Sequence, residues 1–177
     1  VNCATLRACY PSAKRATESL CIAYSKQYGI DVRIARPCHV YGPNFGNSDQ
    51  RVYAQFIRNV LRGEDIVMKS TGKQFRSWCY AVDCASALLY ILLKGESGNA
   101  YNIADSNQNI TIKELAEMIA EIGGKKVIVD LPTDIEKTGF NVVQKSIFSI
   151  DKIKSLGWTI YGSFEDKMKA TINKCRL

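Results

Sequence analysis

At 177 residues, with 46% hydrophobic content and only four prolines, the chain can bury a core and is not disordered by composition. Its formal charge of +7 is scattered, with no dense basic arm and no strand of interleaved aromatics, which argues against a nucleic-acid partner. One histidine, His39, and no clustered carboxylate or thiol ligands leave no metal site to expect; seven cysteines without Cys-x-x-Cys pairing fit reduced thiols in a cytoplasmic protein, and no apolar run reaches membrane length.

Tyr10-Pro11-Ser12-Ala13-Lys14 leads into an amphipathic helical stretch, Ala16 to Tyr28, that ends at Gly29. Asp31 to Pro37 alternates as a strand and stops at the proline, and Cys38-His39-Val40-Tyr41-Gly42-Pro43 follows directly. A polar loop, Asn44 to Asp49, precedes a helix over Gln50 to Arg62 with Val52, Phe56, Val60 and Leu61 on one side. Ile66-Val67-Met68 reads as a short strand before a turn at Ser70-Thr71-Gly72-Lys73. Asp83 is expected to N-cap a helix over Cys84 to Leu93 that stops at Gly95. Thr111-Ile112-Lys113-Glu114 is a capping box leading into Leu115 to Ile122. Gly123-Gly124 reads as a C-cap before the strand Val127-Ile128-Val129, not as a phosphate cradle. Pro132 to Lys145 is expected to be a long loop, and Ser163-Phe164-Glu165-Asp166 to open the last helix.

Tyr10 and Lys14 carry the chemistry. A free phenol titrates near ~10, and a cation beside it stabilises the phenolate, bringing tyrosine toward acid/base work at neutral pH. Spacing i, i+4 puts both groups on one helix face. The spacing alone is weak, because Tyr90 and Lys94 share it at the end of an apolar helical run.

Its surroundings add to it. A helix with Tyr10 and Lys14, a strand, then Arg36-Pro37-x-x-Val40-Tyr41-Gly42-Pro43 resembles the extended short-chain dehydrogenase/reductase family, among them its nucleotide-sugar epimerases, dehydratases and decarboxylases. Gln74 to Asp83 is similar to that family's segment around a substrate-binding arginine, Asn99 to Ala104 to its late strand, and Leu156-Gly157-Trp158 with a final helix to its ending. The resemblance implies an α/β fold: the C-terminal part of a Rossmann-like NAD(P)-binding fold, as tyrosine helix plus sheet strand over residues 1–43, with a small α/β substrate-binding lobe over 44–177.

It also implies roles. Tyr10 would be the acid/base, and Lys14 would hold the nicotinamide ribose of NAD; Pro37, His39 and Val40 would border the cofactor. His39, Arg51, Arg76 and Lys145 would bind a nucleotide-sugar substrate, Arg76 by a bidentate pair with the diphosphate. The helix over 8–28 would make a homodimer. Three positions depart from the family: His39 stands where asparagine is common, Cys84 where a second acid is common, and Asn141-Val142-Val143-Gln144-Lys145 where many relatives carry an arginine. The glycine-rich pyrophosphate turn is not in this sequence, so the chain is expected to be the C-terminal portion of a longer enzyme and inactive by itself. A stand-alone binding or dimerisation module is the alternative.

Overall fold

The computed structural model describes residues 8–131 and 143–175. The expected loop therefore lies outside the described residues except at 143–145, as do Asn141 and Val142. Helix α1 (Cys9–Tyr28) starts in the tyrosine motif and ends at Gly29, whose φ of 65° is left-handed. None of its residues from Cys9 on is buried, although Leu20, Tyr24 and Tyr28 recur on one face. A helix that buries nothing is marginal by itself. It meets strand β1 (Ile34–Pro37) through Glu18, which accepts two hydrogen bonds from the Arg36 guanidinium, Nε at 2.7 Å and a second, shorter one from the other arm.

Residues 34–37 alone form the ladder of the expected strand, because its one partner among the described strands, β5 (Ala100–Ile103), is that short; the two run parallel with Ile34 opposite Ala100. Strand β2 (His39–Tyr41) follows, then α2 (Val52–Leu61) with Arg51 and Arg62 as caps, and β3 (Ile66–Met68). Gly42 lets this chain exit pass under the next helix, since a Cβ there would lie 2.7 Å from Ala81 Cβ.

The central strand is β4 (Phe75–Tyr80). The last half of β4 pairs in parallel with β2, its first half with β8 (Lys145–Ser146), and its other edge antiparallel with β6 (Asp105–Thr111). A bulge between Ser77 and Trp78 shifts that last register, so Trp78 faces Asp105. Helix α3 (Ala81–Lys94) follows β4 without a loop. This corrects the placement of Asp83 as N-cap: the cap is Tyr80, with no side-chain bond, and Asp83 sits inside the first turn, where a negative charge suits the helix dipole.

Helix α4 (Ile112–Gly123) has the expected capping box: Thr111 Oγ1 accepts the Glu114 N–H at 3.1 Å and Glu114 accepts the Thr111 N–H at 2.6 Å. Gly123 permits the close crossing of α2, since a Cβ there would fall 2.0 Å from Val60 Cγ1. Strand β7 (Val127–Val129) pairs in parallel with β3. A short helix α5 (Asp151–Lys154) precedes α6 (Phe164–Cys175), which Ser163 opens by accepting the Asp166 N–H at 3.1 Å.

Two cores result, on opposite faces of β4. Tyr41, Tyr53, Phe56, Ile57, Trp78, Leu115, Ile119 and Met168 join α2, α4 and α6; Cys79, Ile91, Tyr101, Ile103, Ile153 and Trp158 join α3, β5 and α5. Period-two alternation along β4 sends Trp78 to the first and Cys79 to the second. Between them Lys167 Nζ lies 2.7 Å from Asp83 and 3.6 Å from Asp105, all three largely buried.

Candidate functional site

Tyr10 stands in the first turn of α1 and is 73% exposed, and Lys14 Nζ lies 5.5 Å from its ring centroid, so the i, i+4 pair shares a face. The Arg36 hydrogen bonds that tie α1 down also hold the Glu18 carboxyl below its ordinary range. Pro37 ends β1, and His39 and Val40 begin β2 one residue later. Tyr41, from the same motif, is another kind of tyrosine: fully buried, its hydroxyl unpartnered among the described residues and its phenol pushed up by burial. The repeat of the Tyr-x-x-x-Lys spacing at Tyr90 and Lys94 closes α3, with Lys94 Nζ 4.8 Å from the Tyr90 ring and Gly95 capping the helix.

Arg76 is 4% exposed, an unusual depth for a guanidinium. Its arms donate to backbone carbonyls, Nη1 to Phe75 at 2.9 Å and Gln144 at 3.3 Å and Nη2 to Val143 at 2.5 Å, and among the described residues no carboxylate pairs with it. Burial lowers its pKa. It faces a cavity of about 340 Å³ between α2, β3 and the start of α4. Val52, Phe56, Met68 and Ile112 are the apolar walls, with Gln55, Ser70 and Gln74 as polar points. Lys69, also on the wall, pairs with Asp130. This is the composition of a small-molecule site: apolar walls, few polar groups and two cations, Arg76 and Lys69.

A second cavity, about 260 Å³, shares Val52 with the first and is lined by His39, Val40, Arg51, Tyr53 and Trp78. Trp78 stands two residues after Arg76 on β4, hence on the same strand face. The His39 and Trp78 rings are 5.2 Å apart. His39 is exposed at the start of β2, and the protein beneath it first, and the Arg76 charge second, push its pKa below its ordinary value. Arg51 lines this cavity while its guanidinium is held by Asp49 (2.6 Å), donates to the Val40 carbonyl (3.1 Å) and lies over the Tyr53 ring. Lys145 is exposed on β8, opposite Phe75, and is not on either cavity wall.

The structure thus brings Arg76, Arg51 and His39 to two adjoining cavities. Trp78, Gln55 and Gln74 are site residues that sequence reasoning missed; alternation from Arg76 could have found Trp78. Among the described residues no group of three or more His, Cys, Asp or Glu side chains could hold a metal ion, and no helix is long and apolar enough to cross a membrane.

The NAD dependent epimerase/dehydratase family model matches residues 3–104. UDP-glucuronic acid decarboxylase 5 of Arabidopsis thaliana is 35% identical over 159 residues, 89% of this chain and 45% of that protein. UDP-glucuronic acid decarboxylase 1 of Xenopus tropicalis is 29% identical over 171 residues, 96% of this chain and 39% of the relative. Among solved structures, UDP-glucose 4-epimerase from Thermotoga maritima with UDP-glucose superposes with a TM-score of 0.81 at 29% identity, over 93% of this chain and 52% of that one. A dTDP-glucose 4,6-dehydratase from Streptomyces venezuelae with NAD bound gives 0.77 at 25%, over 93% and 49%. The chain spans about half the length of the relatives it matches. With the tyrosine helix, the β1–β5 pair and the Arg76 strand all within or beside the matched region, the chain belongs to the NAD-dependent epimerase/dehydratase family, in the extended short-chain dehydrogenase/reductase group.

Proposed function

We propose that this chain is the C-terminal portion of an NAD-dependent nucleotide-sugar epimerase, dehydratase or decarboxylase that transiently oxidises the sugar at C4, and that these residues alone do not turn over. Residues 1–43 would belong to the nucleotide-binding part, with β5 and α3 joining it in space, and the rest of 44–177 would form the substrate lobe. The open edge of β1 and the exposed Leu88, Leu89, Leu92 and Leu93 of α3 support a further piece of sheet and helix packing there.

Tyr10 and Lys14 would hold the nicotinamide ribose, with Pro37, His39 and Val40 bordering it; the helix face that Tyr10 and Lys14 share, with Tyr10 exposed, supports that role. The chemistry NAD supplies is reversible acceptance of hydride. Tyr10 would take the proton from the sugar hydroxyl, and Lys14 would stabilise the phenolate. Arg76 would meet the diphosphate, with Gln55, Ser70 and Gln74 offering hydrogen bonds beside it, and Arg51 and His39 would contact the rest of the substrate. Lys145 would approach it only from the rim.

The observation that carries this reading is a buried guanidinium, with no carboxylate partner among the described residues, at the wall of a cavity of about 340 Å³. A guanidinium in that position awaits an anion. Calorimetric titration of this protein with UDP-glucose tests it: Arg76→Met should weaken binding about 10- to 100-fold, the worth of charge-assisted hydrogen bonds. Its unfolding midpoint should hold, because an apolar side chain relieves the burial of an uncompensated charge. Undiminished affinity would refute the assignment.

A second reading, association through 8–28, draws on the α1 face that carries Leu20, Tyr24 and Tyr28 unburied. Sedimentation should find a dimer that Leu20→Glu with Tyr24→Glu converts to monomer. The six described cysteines are free, in keeping with a cytoplasmic location.

A further inference from the structure

The 260 Å³ cavity is rich in donors. The Trp78 indole ring, buried at 1% exposure, forms part of its wall. Arg51 and His39 line the same space, and among the described residues no carboxylate does. Arg76 adds its charge from the adjoining cavity, two residues before Trp78 on β4. A group that satisfies this lining must accept hydrogen bonds, and an anionic oxygen satisfies it best. His39 is the one member of the set whose charge can change near neutrality.

Resting on the nucleotide-sugar reading, we infer that His39 takes up a proton when the anionic part of a sugar nucleotide occupies this cavity, so that affinity rises as pH falls. The titratable and charged groups facing His39 agree with this. From β4 comes Arg76; from the start of α2 come Arg51, already neutralised by Asp49, and the Tyr53 phenol. His39 is exposed on its solvent side, and in the free protein the protein beneath it, then the Arg76 charge, disfavour the imidazolium more than the Ser77 carbonyl favours it. A bound anion removes the second effect and pairs with the imidazolium, so the bound-state value lies above the free one. Affinity therefore increases as pH falls through the bound-state value and levels off below the free-state value.

The chain has a single histidine, so its imidazole resonance titrates without ambiguity. The probe is UDP-glucose, whose diphosphate diester does not itself titrate near neutrality. The His39 midpoint, below its ordinary value in the free protein, should move up by about one pH unit at saturating UDP-glucose, equivalent to about tenfold in affinity. His39→Asn, which keeps a donor but cannot titrate, should bind with an affinity independent of pH between 5.5 and 7.5. Binding that leaves the midpoint unmoved or lowers it overturns the inference and leaves the nucleotide reading standing. Absence of any calorimetric binding overturns the nucleotide reading, and the inference with it.

Discussion

Lys167→Met should destabilise this protein by about 3–5 kcal/mol, the cost of removing one partner from a buried ion pair. Lys167 is 8% exposed on α6, and its ammonium is the cation between Asp83 in the first turn of α3 and Asp105 at the start of β6. Asp105 is otherwise held by the Asn107 N–H and by Gln108 Nε2, both at 2.9 Å, neither of which neutralises it. Without Lys167 two carboxylates face each other in a low-dielectric space between the two cores. Methionine keeps the length and apolar stem, so packing loss is small. Urea unfolding would read the free-energy loss, and thermal unfolding should show a fall in midpoint temperature of about 10 °C for a chain of this size. Asp83→Asn added to Lys167→Met should restore part of the loss, giving a coupling energy above about 0.5 kcal/mol. A single-variant loss under about 1 kcal/mol would mean that water, not Lys167, compensates the carboxylates.

Tyr10→Phe, made in the whole enzyme, should lower turnover about 10²- to 10⁴-fold, the usual worth of positioned acid/base catalysis, while nucleotide-sugar affinity stays the same. Stability should not change, since Tyr10 is 73% exposed. Tyr41→Phe is the matching control. Its hydroxyl is buried beside the Gln108 side chain without a hydrogen bond of ordinary geometry among the described residues, so deleting it should leave turnover intact and change stability by less than about 1 kcal/mol. Wild-type turnover in Tyr10→Phe would remove the catalytic assignment.

Local features were legible in the sequence because both partners lie within a few residues. The Thr111–Glu114 capping box, the left-handed glycines at 29 and 124, the α2 stripe and the Tyr10–Lys14 face all follow from helical periodicity and backbone conformation. Asp83 was misplaced for the opposite reason. Its carboxylate has a partner 84 residues away, and the helix begins at Ala81 because β4 runs into it without a loop. Strand β6 was not legible either: Asp105-Ser106-Asn107-Gln108-Asn109-Ile110-Thr111 has no apolar alternation and becomes a strand because β4 supplies the ladder.

The site divides the same way. By itself the sequence determined the helix that carries Tyr10 and Lys14, the strand and turn motifs behind it, and the residue types suited to a diphosphate, because these depend on spacing and side-chain chemistry. Only the tertiary structure decided that Arg76 is buried with backbone carbonyls as its partners, that Asp49 occupies Arg51, that Lys145 faces outward and that Trp78 joins His39 in one cavity. Those outcomes depend on which segments β4 draws together from residues 39–41, 105–111 and 145–146, and contacts over such separations leave no periodic trace in the chain.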